Sequence, residues 1–355
     1  LGKLCKFNDI LTSNDKKMAP KHLLTVRPYN YIMSVTLVNV ILESDMNTSV
    51  SHTIGQSPAA PTTPKKQALG TSVNIPPRRL DFEFATESSR YYYDNNPFLS
   101  TFLTALSSLF PEGESFFVES VRHYREQITD PTLKAQVSGF IGQEAMHSKE
   151  HQAFNEMATR QGYPVDKLDR DVAKLLAFAQ KVLPKSMQLA VTVCLEHYTA
   201  IIAEMLLRDP DVQSKFALEA RQLWLWHALE ENEHKTVAYD VYEQVVGSYA
   251  LRAGIMVPTT VIFFAVALAF HGRLLAADGQ LFKIRQNASA LKYLWNGKKG
   301  VFSRLLPQYL DFFKPSFHPK NHDTNALLAQ WSKILFAPDG MLYGQLKNKA
   351  AVGVH

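Results

Sequence analysis

The pattern Glu-x-x-His occurs twice in this 355-residue chain, as Glu144-x-x-His147 within FIGQEAMHSKEH (140–151) and as Glu231-x-x-His234 within WHALEENEH (226–234). Residues three and four apart share one face of an α-helix. At about 100° per residue, Glu231 falls near +40° and His234 near −20° from His227, so these three form one stripe. His151 joins the stripe of Glu144 and His147 in the same way, whereas Glu150 and Glu233 point elsewhere. Two such stripes constrain the chain to a fold in which helices bring matching groups to one level.

Helical signals punctuated by Gly, Pro and Asp dominate from Leu80 onward. The pattern predicts a helix over 112–128, stopped by TDP (129–131), and a second over 131–160, stopped by Gly162. Residues 163–183 form a longer connection with an amphipathic piece, DRDVAKLLAFAQ. A third helix runs from Pro184 to about Leu207, and a fourth over 217–246 after the break RDPD (208–211). Hairpin, crossover, hairpin is a four-helix-bundle topology, and no strand-period run competes with it. The fold class expected is all-α, with additional C-terminal helices. Residues 1–79 are expected to lie outside the fold. They include YIMSVTLVNVIL (31–42), which could pass for a short signal core, Met46 as a plausible start, and a Pro/Ser/Thr-rich stretch expected to be disordered. The bundle is expected over 80–250 and a C-terminal extension over 251–355.

Antiparallel geometry says where further ligands must lie. Reflection about the first hairpin, centred near residue 129.5, carries Glu144 to residue 115, level with Glu114 and not with Glu119. In the second hairpin, a loop over 208–217 places Glu196 level with residue 229, beside Glu231. Glu114, Glu144, Glu196 and Glu231 with His147 and His234 then share one layer. Four buried carboxylates cannot all stay ionised without cations, and two divalent ions remove the conflict. Carboxylate oxygens with imidazole nitrogens suit iron first and manganese second. Glu144 and Glu231 are the expected catalytic carboxylates. His227 is expected either as a third imidazole ligand or as a hydrogen-bonding neighbour of the ligands. His151 is expected in such a supporting role, His123 and His197 as structural, and Glu230 as solvated or supporting. Trp224 and Trp226 fill the core or wall the pocket. Arg122, Lys149 and Lys235 either balance the carboxylates or lie on a solvated face.

With these residues in place, the stretch from Phe110 to Tyr242 resembles the ferritin-like proteins known as predicted metal-dependent hydrolases. The matching segments are GESFF (113–117), ITDPTLKAQVSGFIGQEAMHSKEHQAFN (128–155), CLEHYTA (194–200) and WHALEENEHKTVAYDVY (226–242). The resemblance implies a ferritin-like four-helix bundle with a di-metal core, and a metal-dependent enzyme more firmly than hydrolysis itself. His227-x-x-x-Glu231-x-x-His234 also looks like the fourth-helix pattern of di-iron arylamine N-oxygenases, in which an added imidazole enriches the nitrogen environment of one iron. The preferred expectation is O2-dependent oxidation at a di-iron centre. Hydrolysis by two metals is the runner-up, and a non-enzymatic iron-binding protein is the third reading.

Charge and hydropathy bound the partners. Residues 114–247 hold 14 Lys and Arg against 20 Asp and Glu, a net of −6, whereas 271–320 hold 9 against 2, a net of +7. No basic motif interleaved with aromatics appears, which argues against nucleic acid. Cys5 and Cys194 are too few for a disulfide framework and lean towards a reducing, cytoplasmic setting. AGIMVPTTVIFFAVALAF (253–270) has no charge and extends roughly 27 Å as a helix, near the ~30 Å of a bilayer core. A true span would put the acidic bundle outside the cytoplasm. Contact of 253–320 with a membrane surface, and a small lipophilic substrate, are therefore expected in preference to a crossing.

Overall fold

The computed structural model describes residues 69–353. The signal-like stretch 31–42, Met46, Cys5 and the polar tract up to residue 68 lie outside the described residues. Described residues are all-α, with a single isolated antiparallel bridge between Tyr93 and Phe216. They belong to one compact unit. The helices are α1 (Pro97–Ser107), α2 (Phe110–Arg122), α3 (Pro131–Arg160), α4 (Val165–Val182), α5 (Lys185–Arg208), α6 (Leu218–His234), α7 (Val237–Val245), α8 (Tyr249–Ala277), α9 (Ile284–Trp295), α10 (Leu306–Asp311) and α11 (Asn325–Phe336). A single turn, Pro210–Ser214, sits between α5 and α6.

The bundle is made of α2 packed on α3 and α5 packed on α6, joined by the crossover α4. This is consistent with a ferritin-like arrangement. Local chemistry sets its boundaries. Asp130 caps α3 by accepting from Thr132 N at 2.9 Å, and Pro131 at the first helical position leaves no amide unsatisfied. Past the other end of α3, Gly162 takes φ 94°, a left-handed conformation that costs glycine nothing. Asp209 accepts from Asp211 N and Val212 N, which starts the single turn after α5.

Three expectations need correction. The helix expected over 112–128 ends at Arg122 and continues as a 3-10 turn, Arg125–Gln127. The helix expected over 217–246 breaks directly after His234. No Gly or Pro announces the interruption at Lys235 and Thr236; there the Lys235 ammonium donates to His322 O at 2.5 Å and Thr324 Oγ1 at 2.8 Å, a long-range tie. Thirdly, residues 69–79 are not outside the fold. Ile75 is buried, and the segment Ile75–Arg79 lies as a strap across α3, touching it at two glycines. A Cβ on Gly139 would sit 2.6 Å from Ile75 O, and one on Gly142 would collide with the Pro77 ring.

Both α5 and α8 are long and apolar enough to cross a membrane by length and composition, yet they differ in burial. The apolar window of α5 is 72% buried, that of α8 only 22%. One is a core helix of the bundle. The other packs against α1 and α5 with one face and leaves Val257, Val261 and Leu268, each more than half exposed, on the other.

On α4, burial pushes the Asp169 carboxyl up to about 7, and nearby Glu112 reinforces it. A carboxyl raised in the folded state contributes stability that is full below its unfolded pKa and is lost as pH rises through about 7. Asp169→Asn is therefore expected to raise the Tm at pH 8 and leave it unchanged at pH 4, as read by thermal unfolding at the two pH values.

Candidate metal centre

Each of the four bundle helices sends a carboxylate inward: Glu114 from α2, Glu144 from α3, Glu196 from α5 and Glu231 from α6, all at most 4% exposed. His147 lies one turn after Glu144, and His227 and His234 flank Glu231. Glu114, His147 and His227 bring one ligand atom each within 4.8 Å of one another, and so do Glu144, Glu231 and His234. His234 Nε2 lies 3.0 Å from Glu144 Oε1, 3.6 Å from Glu196 Oε2 and 3.7 Å from Glu231 Oε2. His147 Nδ1 lies 3.7 Å from Glu231 Oε1, which links the two groups. All seven residues expected at the centre meet there.

The outer nitrogen of every imidazole is held, and the network assigns the tautomers. His147 Nε2–H donates to Glu230 Oε2 at 3.1 Å, which leaves Nδ1 as an inward lone pair. His234 Nδ1–H donates to Gln143 Oε1 at 2.9 Å; the Gln143 amide is fixed because its Nε2 donates to Glu233 Oε2 at 2.7 Å. For His227 the assignment runs back from Asn155, whose Nδ2 donates to Ser107 O and whose Oδ1 accepts from the Ser107 hydroxyl at 2.7 Å. His151 Nδ1–H must then donate to Ser107 Oγ at 2.8 Å, and His151 Nε2 accepts from His227 Nδ1–H at 2.7 Å. His227 Nε2 is left as a lone pair 2.8 Å from Glu231 Oε1. Two such atoms sit favourably at that distance only with a proton or a cation between them.

Orphaned atoms give an independent test of fit. Glu114 Oε1, both oxygens of Glu144, both of Glu196, Glu231 Oε2, His147 Nδ1 and His234 Nε2 are buried without a hydrogen-bond partner. Each would cost about 1–3 kcal/mol in that state, more for a charge. They occupy one space. Burial, reinforced by Glu144, pushes Glu114 and Glu196 well above the usual carboxylate range. At His234 burial opposes protonation, but Glu231 and Glu144 outweigh it and raise its pKa well above normal. Burial likewise works against the Glu231 charge, yet His234 and His227 hold its pKa well below normal. The pocket is short of positive charge, and its donors are carboxylate oxygens and imidazole lone pairs. Such a set, in two clusters, fits divalent cations.

The supporting residues were mostly hidden from the sequence. Glu230, expected as solvated or supporting, is completely buried between His147 and Arg78 Nη1, which lies 2.9 Å from it. Glu233 points away from the centre as expected, but onto the same Arg78, at 2.7 Å from Nη2. Arg78 stands in the strap and is the cation behind two of the three imidazoles. Arg122, Lys149 and Lys235 do not face the carboxylates: Arg122 pairs with Glu119, Lys149 with Asp81 and Glu150, and Lys235 with the C-terminal segment. Glu119 is more than half exposed. His197 is buried and bonded to Gln308 O, with burial lowering its pKa to about 3, whereas His123 is exposed and edges Tyr124. Ser148, one turn after Glu144, donates to Glu114 Oε2 at 2.8 Å and turns its free oxygen inward. Phe110, Phe140 and Trp226 pack on His227, His234 and His147, with ring centres about 5 Å away, and wall the space against water.

Compared with known proteins, residues 76–323 match a family model described as predicted metal-dependent hydrolase. The match begins at the strap and covers all four carboxylate-bearing helices. No curated protein and no solved structure matches the chain.

Proposed function

Because the chain belongs to the family of predicted metal-dependent hydrolases, we propose that the buried ring holds two divalent cations, iron in the first instance, and that its reaction is oxidation of an organic substrate by O2. One cation would be held by Glu114, His147 and His227, the other by Glu196 and His234, with Glu144 and Glu231 shared between them. The carrying observation is the inward lone pair of His227, a third imidazole fixed through His151 and Ser107. Two irons bound here would supply electrons and a site for O2, whereas manganese or zinc would supply Lewis acidity for an attacking water. The protein's own part is to orient and to exclude. Phe110, Phe140 and Trp226 keep bulk water from the donors, and Glu144 and Glu231 would take up or release a proton at the centre.

The family's description favours a second reading, hydrolysis of an ester or phosphoryl substrate. Oxygen dependence separates the two. Protein purified anaerobically and loaded with iron is expected to hold about two metal ions per chain and to consume O2 when reductant is added. Ester hydrolysis that proceeds equally without oxygen in the manganese or zinc form, with no O2 uptake by the iron form, would replace oxidation by hydrolysis.

A further inference from the structure

An apolar cavity opens beside α8, on the face of α5 opposite Glu196. It has a volume of about 570 Å3 and is bounded by α1, α5, α8 and residues 295–309. That volume suits a small organic ligand. Of its polar side chains, Tyr198, Thr260 and Tyr309 are consumed by one another: both phenols meet Thr260 Oγ1, which donates to Met256 O. Lys298, at the rim, has no ion-pair or hydrogen-bond partner among the described residues and is exposed. A cavity with greasy walls and one cation at its mouth selects an anionic amphiphile.

The surroundings of the mouth say where such a molecule comes from. Trp295 and Leu306 line the cavity and are 51% and 54% exposed. Phe264 carries the wall onto the outer face of α8, where Val257, Val261 and Leu268 stand free. Nearby in the chain, Phe282 and Ile284 are 85% and 74% exposed, beside Lys283 and Arg285. Exposed apolar side chains of this size among lysines and arginines match an anionic bilayer, whose acyl region takes the former and whose head groups attract the latter.

We propose that the cavity receives the acyl chain of an anionic single-chain lipid, drawn from a membrane surface on which α8 and residues 281–285 rest, with its acid group at Lys298. The inner end of the cavity supports the same reading. Phe102, Leu106, Ile202 and Phe302 also line a void of about 70 Å3 whose wall includes Trp224. Trp224 packs on Phe110 and His151, and both of those rings pack on His227. A chain advancing through the void meets the aromatic wall of the metal centre. That the lipid is the substrate rests on the function proposed above; that it binds does not.

The test uses the full chain and two probes, cis-parinaric acid for the cavity and vesicles of phosphatidylcholine with or without phosphatidylglycerol for the surface. The wild type is expected to enhance parinarate fluorescence at one equivalent and to float with the anionic vesicles. Ile202→Trp, which narrows both voids, and Lys298→Glu are each expected to weaken parinarate binding about tenfold, with metal content unchanged. Val261→Asp is expected to abolish flotation and to keep parinarate binding. No parinarate binding by the wild type, or binding indifferent to Ile202→Trp, would overturn the cavity assignment; flotation indifferent to Val261→Asp would overturn the membrane source. A wild type that binds parinarate but retains no metal would sink the proposed centre and leave this inference standing.

Discussion

Glu144→Ala is expected to yield a folded protein that retains neither metal ion. Glu144 reaches both halves of the ring, with Oε1 3.0 Å from His234 Nε2 and Oε2 4.0 Å from His147 Nδ1. Its removal takes a ligand from each side. The fold itself should not suffer, because burial already pushes this carboxyl above its ordinary pKa and both its oxygens lack hydrogen-bond partners. Metal binding and folding therefore separate in this variant. Elemental analysis would read the loss, and thermal unfolding would read the linkage: a ligand at 100 times its Kd stabilises by about 2.7 kcal/mol. Chelator should lower the wild-type Tm and leave the variant's unmoved. A variant with full metal content would remove Glu144 from the ligand set.

Arg78→Met should act from a distance and more severely on stability. Arg78 is 4% exposed and neutralises Glu230, which is fully buried, and Glu233, whose side chain is 9% exposed. Burial pushes the Glu230 carboxyl up to about 6, and Arg78 is the largest of the groups that oppose this rise, ahead of Trp226 and His234. Losing one partner of a buried ion pair costs about 3–5 kcal/mol. The same two carboxylates hold His147 directly and His234 through Gln143. Metal affinity should fall about 10–100-fold, the usual consequence of losing a group that orients a ligand. Gly142→Ala tests the route independently, since it pushes on Pro77 and hence on the strap without touching any charge. Overpacking of this kind costs about 1–3 kcal/mol, and a smaller fall in metal affinity, followed by metal-competition titration, is expected with it. Normal affinity in both variants would show that the strap supports the fold alone.

The level at which four helices meet was legible because it depends on rise and periodicity. Reflection about TDP placed Glu114 opposite Glu144, and the Asp130 and Pro131 start signals fixed the register of α3. The Glu231 stripe was legible from three spacings on one helix. Arg78 was not. It lies in PPRRL, a stretch without helical period, and its partners are 152 and 155 residues away. Nothing local distinguishes it from Arg79, which is exposed and pairs with Asp81. The break after His234 was hidden as well, since no Gly or Pro marks it and the Lys235 side chain at the break bonds to a residue 87 positions downstream. The supporting role of Ser107 and Asn155 depends on α1, a helix that the spacing of ligands does not predict.

That 152-residue separation between Arg78 and Glu230 also orders events during synthesis. At about 5–20 residues per second, the strap leaves the ribosome roughly 8–30 s before its acceptor. In the later part of that interval the nascent chain offers Glu114, Glu144 and His147 without Glu231 or His234, half a donor set with its guanidinium clamp idle. Selection of an ion by the complete ring would therefore await completion of α6, so that a full donor set exists only in the later part of synthesis.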